Sequence, residues 1–262
     1  GRRVAHARRL ALAGLGAVMA LIVGSAGYQL TSVFSDPSAP VIVVEDVRTA
    51  MGPASSAVYG DPSADLTIIG VTGTNGKTTT THLLGSIAAS SGRRSAVLGT
   101  LSGPRTTPEA PELQRWLAER VREGIEIVAM EVSSHALDQH RVLGTRFAVA
   151  VFTNLSPDHL DHHHSMEAYF AAKRRLFEPD LATLGVVHVG TPWGERLAAS
   201  AAIPVVEVRD TDATEVALEP GAVRFVWRDH PVRLALGGRF NVANALCAAE
   251  AARLIGPEPS AI

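Results

Sequence analysis

One stretch of the sequence joins a β-rich run, a glycine loop and a helix-like segment, and this stretch constrains the fold most. The run from Leu66 to Val71 leads into Thr72-Gly-Thr-Asn-Gly76, and a stretch typical of a helix extends from Lys77 to about Ser90. Small residues let such a loop wrap a polyphosphate, with N–H groups and a helix N-terminus directed at its oxygens. The pattern therefore predicts a phosphate-binding loop after a strand.

Residues of this loop have individual predicted roles. Lys77 would neutralise phosphate charge, and the hydroxyl of Thr78 would bind Mg²⁺. The predicted nucleotide-binding set in the loop comprises Gly73, Thr74, Asn75, Gly76, Lys77, Thr78 and Thr79. The loop is a variant, because Val71 stands where the strict signature has its first glycine. The alternative is a glycine-rich turn that binds no nucleotide.

Apolar runs and helical segments alternate along the rest of the chain. The apolar runs are Ala96 to Leu98, Ile125 to Met130, Phe147 to Phe152, Gly185 to Val189 and Pro204 to Val208. The helical segments are Glu109 to Glu123 and Ser165 to Phe177. This alternation predicts an α/β fold whose mostly parallel sheet is covered by helices on both faces. Arg224 to Trp227 and Val232 to Leu236 predict a small antiparallel hairpin near the C-terminal end.

The composition of the chain limits the classes of molecule that it is expected to bind. A formal net charge of -2 and the lack of long basic blocks give no electrostatic reason to expect nucleic acid. The single cysteine, Cys247, cannot form an internal disulfide, which agrees with a reducing compartment. A small, anionic, metal-bound ligand fits this composition better.

Lysine is rare in this chain. Of 24 Lys and Arg residues, only Lys77 and Lys173 are lysines. An ammonium is a compact charge whose pKa shifts readily on burial, so it can act where a guanidinium cannot. The two lysines are therefore candidates for chemical roles, and the alternative is that both are ordinary surface cations.

Carboxylate and imidazole groups follow two further predicted strands. Glu131 comes directly after the buried-type run that ends at Met130, and His159 follows the run that ends at Phe152. Ligands bind at the carboxyl ends of strands in open α/β sheets, and we expect two neighbouring strands to deliver both groups to one region. Together with phosphate and water, Glu131 and His159 would hold Mg²⁺.

The run His162, His163 and His164 raises the alternative of a zinc site. Three consecutive side chains do not converge readily on a tetrahedral metal, and no cysteine assists them. We therefore interpret these histidines as polar loop residues rather than ligands.

The amino end contains an apolar run. No charged residue occurs from Leu10 to Ser35, and Arg2, Arg3, Arg8 and Arg9 precede this run. The pattern resembles a signal anchor or one membrane span, whereas the alternative is a replaced or fragmentary end in residues 1–39. Pro, Ser and Gly then become frequent around the short run Val41 to Val44, which predicts a linker or domain remnant in residues 40–65.

Several motifs in order make the chain similar to the Mur ligases, over about Pro40 to Gly256. The motifs are Gly70-Val-Thr-Gly-Thr-Asn-Gly-Lys-Thr-Thr-Thr80, Arg105-Thr-Thr-Pro-Glu109, Met130-Glu-Val-Ser-Ser-His135, Gln139-His-Arg141, Phe152-Thr-Asn-Leu-Ser156, Asp158-His-Leu-Asp161, Ala172-Lys173 and Gly238-Arg-Phe-Asn-Val-Ala-Asn244. The resemblance is strongest to family members that add the third residue of the peptide stem to UDP-N-acetylmuramoyl-L-alanyl-D-glutamate.

This resemblance implies roles for individual residues. Lys77 and Thr78 would hold ATP and magnesium, and Glu131 and His159 would be further metal ligands. Lys173 matches a lysine that the family carbamylates, and the resulting anion would help to hold a second Mg²⁺. The residues that would contact the UDP-muramoyl-peptide are Thr106, Thr107, Ser133, Gln139 and Arg141. Those near the adenine would be Asn241 and Asn244.

The resemblance further implies an ATP-dependent amide ligase of peptidoglycan precursor synthesis that works through an acyl phosphate. The amino acid would be meso-diaminopimelate or L-lysine, and the enzyme is expected to be a cytoplasmic monomer. Residues 40–65 would be the remnant of a domain for the uridine nucleotide, and residues 66–262 the central ATP-binding domain. The family's carboxyl-terminal domain has no room before Ile262, so we expect weak or absent turnover by this chain alone. The alternatives are a ligase similar to folylpolyglutamate synthetase and a truncated, non-catalytic nucleotide-binding module.

Overall fold

In a computed structural model of the chain, the structure describes residues 21–24 and 41–256. In chain order the strands are β1 (Leu21–Gly24), β2 (Val41–Val44), β3 (Thr67–Thr72), β4 (Ser95–Leu98), β5 (Ile127–Glu131), β6 (Phe147–Phe152), β7 (Ala182–His188), β8 (Val205–Val208), β9 (Ala213–Glu219), β10 (Ala222–Trp227) and β11 (His230–Leu234). The helices are α1 (Val47–Val58), α2 (Lys77–Ser90), α3 (Ala110–Arg122), α4 (Ser134–Asp138), α5 (Leu160–His163), α6 (Met166–Arg174), α7 (Pro192–Ser200) and α8 (Phe240–Leu254).

The central sheet has six parallel strands in the order β4-β5-β3-β6-β7-β8. Its strands are rich in Val, Ile and Ala and are buried on both faces, as expected for a parallel sheet that helices cover. Alternate residues of β3 belong to separate cores, with Ile68 on the face that α3, α6 and α7 cover and Ile69 on the face that α2 and α8 cover. The prediction of an α/β fold with a mostly parallel sheet is confirmed.

The predicted hairpin near the C-terminal end is also present, as β10 and β11. It extends to a three-stranded antiparallel sheet, because β9 pairs with the other edge of β10. Phe225 and Trp227 turn from this small sheet towards the core that α2 and α8 share with β3. The small sheet is therefore fixed to the central sheet by burial of aromatic surface.

Residues 40–65 contain more regular structure than a linker would. The short run Val41–Val44 forms β2, which pairs in parallel with β1, and the helix α1 follows it. Asp46 caps α1 by accepting a hydrogen bond from the backbone N–H of Arg48 at 2.8 Å.

The apolar run Leu10 to Ser35 lies outside the described residues, except for Leu21–Gly24, which form β1. Among the helices that the structure describes, none combines the length and the apolar character needed to cross a membrane.

Candidate functional site

The glycine loop lies between β3 and α2, and the end of β6 holds it in place. Asn154 accepts hydrogen bonds from two loop amides, through its backbone oxygen from Thr74 N (2.9 Å) and through Oδ1 from Asn75 N (3.0 Å). Gly76 precedes α2 with a φ of +88°, and a Cβ there would lie 2.2 Å from Asn244 Oδ1. Glycine is required at this position because it alone adopts such a φ without strain and leaves room for Asn244.

Both lysines of the chain meet at this loop. Lys77 Nζ donates to the backbone oxygens of Gly73 (3.0 Å) and Thr74 (2.9 Å). Lys173 Nζ, which comes from α6, donates to the same Gly73 oxygen at 2.8 Å. Lys173 is only 1% exposed, so it is not a surface cation. The alternative of two ordinary surface lysines is therefore wrong for Lys173.

Burial perturbs the two ammonium groups. It lowers the pKa of Lys77, although the charges of Glu131 and Asp158 act in the opposite direction. Burial lowers the pKa of Lys173 well below its ordinary value, the charge of Lys77 lowers it further, and Asp158 raises it in part. A lysine with a strongly lowered pKa has a larger neutral, nucleophilic fraction at pH 7.

Glu131 is a buried carboxylate at the carboxyl end of β5, with 1% of its surface exposed. Its Oε1 accepts hydrogen bonds from the Thr78 hydroxyl (2.9 Å) and from the Thr100 amide (2.9 Å). Its Oε2 accepts from the Thr100 hydroxyl at 3.2 Å. The structure thus brings the carboxylate and the hydroxyl that were both predicted as magnesium ligands into direct contact.

His159 is positioned apart from this pair. The strands β5 and β6 are consecutive along the chain but are not neighbours in the sheet, because β3 lies between them. The expectation of neighbouring strands is therefore wrong, and the phosphate loop that follows β3 separates Glu131 from His159. His159 lies in the exposed turn before α5, where its ring nitrogen is 3.5 Å from Asp158.

The histidines after Asp158 form a cluster rather than a polar loop. His162 and His163 lie on the helix α5, and the ring centroids of His162 and His135 are 4.2 Å apart. His163 is buried, its Nε2 lies 2.9 Å from Ser134 Oγ, and burial lowers its pKa to about 4. The short helix thus buries the ring of His163, whereas His162 is partly exposed and His164 is exposed. Within residues 21–24 and 41–256, no three His, Cys, Asp or Glu side chains are arranged to hold a metal ion.

The predicted substrate contacts form one continuous polar strip. The Thr107 hydroxyl accepts from the Ser133 amide (3.0 Å) and donates to the Glu131 backbone oxygen (2.9 Å). Arg141 donates to the Gln139 side chain (2.6 Å) and to the Thr107 backbone oxygen (3.1 Å). Thr106 joins the strip through its hydroxyl, which lies 3.1 Å from that of Thr100. All five predicted residues therefore lie beside Glu131 on the same edge of the sheet.

A cleft of about 770 Å³ opens on the other side of the loop. Asn75, Gly76 and Thr79 line it together with Asn244 from α8. Asn244 Nδ2 donates to Asn241 Oδ1 at 3.1 Å, so the two predicted adenine contacts form a pair. Asn241 is buried behind Asn244 and does not line the cleft itself.

Some residues of the site were not identified from the sequence. In the cleft, His188 Nε2 lies 3.0 Å from Asp210 Oδ1, and Phe240 stands 71% exposed at the rim. Thr100 holds Glu131, and Tyr169 contacts the loop through Thr74. His188 ends β7 and Asp210 follows β8, so the rule that directed attention to the carboxyl ends of strands would have found both.

Comparison with known proteins agrees with this geometry. Residues 71–252 match the family model described as the Mur ligase middle domain. A UDP-N-acetylmuramoyl-L-alanyl-D-glutamate--2,6-diaminopimelate ligase from Corynebacterium glutamicum is 43% identical over 93% of this chain and 51% of its own length. The ligase of the same name from Geobacter metallireducens is 43% identical over 84% of this chain and 48% of its length. The chain thus spans about half the length of these curated relatives.

Solved structures give the same result. A UDP-N-acetylmuramoyl-L-alanyl-D-glutamate--2,6-diaminopimelate ligase superposes with a TM-score of 0.73 at 31% identity, covering 84% of this chain and 50% of that one. MurF from Acinetobacter baumannii superposes at 0.68 with 24% identity over 84% of this chain and 49% of its own, which shows the fold alone. The loop, the sheet order and the match over residues 71–252 together show that this chain belongs to the Mur ligase family.

Proposed function

We propose that the loop and its cleft bind Mg-ATP, and that the chain is the ATP-binding part of a ligase. The ligase would add meso-diaminopimelate to UDP-N-acetylmuramoyl-L-alanyl-D-glutamate. The observation that carries this proposal is the convergence of both lysines on the carbonyl of Gly73, beside the contact between Thr78 and Glu131. One cation, Lys77, and two oxygen ligands at a helix N-terminus suit a magnesium-bound polyphosphate, and the buried amine of Lys173 lies beside them.

In this proposal Lys77 leaves the loop carbonyls and neutralises phosphate oxygens, and the backbone amides of the loop contact the same oxygens. Thr78 and Glu131 supply oxygen ligands of the hard type that Mg²⁺ prefers, and His159 is a further ligand or orients one. The bound Mg²⁺ would neutralise charge on the phosphates during transfer. Asn244 would contact the adenine, and Asn241 would lie near it and hold the Asn244 amide.

We assign Lys173 the carbamate role. Burial favours its neutral amine, which is the form that reacts with carbon dioxide, and the carbamate would be an anion beside Lys77. An arginine at this position would remain a cation, because a guanidinium stays protonated. The carbamate would help to hold a second Mg²⁺.

The polar strip made of Thr106, Thr107, Ser133, Gln139 and Arg141 would bind the UDP-muramoyl-peptide. The substrate carboxylate would attack the γ-phosphate of ATP to give an acyl phosphate and ADP. The amine of the incoming amino acid would then displace phosphate and form the amide. The residues here position two anions and neutralise their repulsion, which is the main task of the protein in phosphoryl transfer.

We further propose the domain division of the chain and its cellular compartment. Residues 66–262 would be the central ATP-binding domain, and residues 40–65 would belong to a domain for the uridine nucleotide. The compartment would be the cytoplasm, where ATP is available. The choice of meso-diaminopimelate over L-lysine rests on the names of the relatives.

Calorimetric titration with Mg-ATP tests the nucleotide part. Wild-type chain should bind Mg-ATP, and Lys77→Arg should weaken binding more than about tenfold, because the planar guanidinium does not enter the loop as a compact charge. Arg115→Lys is the control, since Arg115 is an exposed residue of α3, and its affinity should match the wild type. Equal affinities for wild type and Lys77→Arg would contradict the assignment of the loop.

The ligase part is tested by incubating the chain with the muramoyl-dipeptide nucleotide, Mg-ATP and either meso-diaminopimelate or L-lysine, with mass detection of the product. A product one diaminopimelate residue heavier supports the proposal. Product with a folate and glutamate instead would favour the folylpolyglutamate alternative. Because weak or absent turnover is expected from this chain alone, the decisive assay uses the chain fused to the part of the Corynebacterium glutamicum relative that lies beyond the match. Mg-ATP binding without any amide in that fusion would favour the non-catalytic module.

A further inference from the structure

Tyr169 is a buried tyrosine that touches both halves of the phosphate site. It lies on α6 one turn before Lys173 and is 1% exposed. Its hydroxyl is 3.1 Å from the hydroxyl of Thr74 in the loop, and the Nζ of Lys173 lies 4.6 Å from its ring centroid. One side chain thus contacts the loop with its polar end and the lysine with its ring.

The Thr74 hydroxyl is the centre of a small hydrogen-bond network. It has one proton and two lone pairs. It accepts from the Ser156 amide (3.1 Å) and lies within donating distance of the Ser156 backbone oxygen (3.2 Å). The Tyr169 hydroxyl completes the network, and either hydroxyl can be the donor of the bond between them. Burial raises the pKa of Tyr169, which agrees with a phenol that keeps its proton.

Both lysines donate hydrogen bonds to backbone oxygens next to the Cα of Thr74. Gly73 O accepts from both Lys77 and Lys173, and Thr74 O accepts from Lys77. These two oxygens flank the Cα of Thr74, so the position of the threonine side chain sets the position of both acceptors.

The Tyr169 ring is also in contact with a histidine. The ring of His163 stacks on it with centroids 5.0 Å apart and an angle of 28° between the planes. The Nε2 of His163 lies 2.9 Å from the Ser134 hydroxyl, which fixes the histidine in turn. These contacts hold the Tyr169 ring in the orientation in which its hydroxyl reaches Thr74.

We propose that Tyr169 is a positioning residue, which fastens the phosphate loop to the helix α6 and thereby holds the loop backbone in place for the nucleotide. This inference rests on the proposed binding of Mg-ATP. A side chain that only filled the core would not need the hydroxyl. The adjacent Phe170 belongs to the same core cluster without one.

The test is Tyr169→Phe, which removes one oxygen and keeps the ring, with Tyr59→Phe as the matched control. Tyr59 is a half-buried residue that follows α1 and lies outside the phosphate loop and α6. Hydrogen exchange of loop amides 73–77 is measured on the unliganded chain, and the Kd for Mg-ATP is measured by calorimetry. Tyr169→Phe should raise loop exchange about tenfold and the Kd about 3- to 10-fold, whereas Tyr59→Phe should change neither.

A second variant approaches the same bond from the loop. Thr74→Val removes the hydroxyl that Tyr169 contacts, together with its two bonds to Ser156. The double variant Tyr169→Phe, Thr74→Val should show no further loss beyond Thr74→Val, because the bond to Tyr169 is already absent. Additive losses would overturn the proposal.

Two further results would overturn it. One is an unchanged Kd together with unchanged loop exchange in Tyr169→Phe, and the other is faster exchange throughout the chain with a lower melting temperature. If the wild type does not bind Mg-ATP, the proposed function fails, and loop exchange in Tyr169→Phe alone then decides whether Tyr169 positions the loop.

Discussion

Replacing Gly76 by alanine tests the close approach between the loop and α8. Gly76 has a φ of +88°, and the new Cβ would lie 2.2 Å from Asn244 Oδ1. Two separate effects are therefore expected from one methyl group. The first is backbone strain, because L-residues with a side chain adopt the left-handed region at a cost of about 1–2 kcal/mol. The second is displacement of the Asn244 amide.

The cost of the displacement follows from the hydrogen bond that Asn244 makes. Its Nδ2 donates to Asn241 Oδ1 at 3.1 Å, and both side chains are buried. A buried polar group that loses its partner costs about 1–3 kcal/mol. Gly76→Ala should thus lower the free energy of unfolding by about 2–5 kcal/mol in total.

Urea unfolding followed by circular dichroism measures this loss, and Gly92→Ala is the matched control. Gly92 follows the other end of α2 with a φ of +71°, and a Cβ there meets nothing within 4 Å. The control should lose only about 1–2 kcal/mol. In the double variant Gly76→Ala, Asn244→Ala the two losses should not add, because the obstructing amide is gone. Equal losses for the two glycine variants would refute the reasoning.

Three other predictions concern buried titratable groups. Burial raises the pKa of the Cys247 thiol to about 12, so iodoacetamide at about pH 8 should label native protein over about 100-fold more slowly than urea-unfolded protein. Burial raises the pKa of Glu250, but hydrogen bonds from Arg228 and Arg253 lower it overall, so its stabilisation is present at pH 7 and is lost as the pH falls through the lowered pKa. Glu250→Gln should therefore cost about 1–3 kcal/mol at neutral pH in urea unfolding, and the difference from wild type should shrink in acid. Unmodified Lys173 releases its proton in the folded state at a lower pH than in the unfolded state, so in carbonate-free buffer wild-type stability should rise from about pH 8 to about pH 10. The rise should be smaller in Lys173→Met, where the lowered pKa of Lys77 still contributes, and an equal rise in both proteins would contradict the lowered pKa of Lys173.

The strands were predicted well and some helices were not. The run Phe147–Phe152 coincides with β6, because an apolar run between polar segments is a local signal for a buried strand. The helix α1 was missed since it contains Gly52 and Pro53, which disfavour helix in isolation. A Cβ on Gly52 would lie 2.0 Å from the Leu143 backbone oxygen, so the tertiary structure requires glycine there.

The candidate site was predicted in part. The contact between Thr78 and Glu131 followed from the loop motif and from the rule that ligands collect at strand ends. His159 was expected beside Glu131 because β5 and β6 follow each other along the chain. In the sheet β3 lies between these two strands, so the two side chains are separated. No sequence pattern indicated a role for Tyr169 at the site, because an aromatic residue on an apolar helix face most often belongs to the hydrophobic core.

The sequence by itself determined the strand, loop and helix around Gly76, because backbone freedom at glycine and a short β-rich run are local properties. It also determined that two lysines among many arginines were candidates for chemical roles. Only the tertiary structure decided that Lys173 meets the oxygen of Gly73, which lies 100 residues away along the chain. That contact depends on the order in which the strands pair, which places β6 and the α6 that follows it beside β3. Pairing order results from burial summed over the whole sheet, so no local segment encodes it.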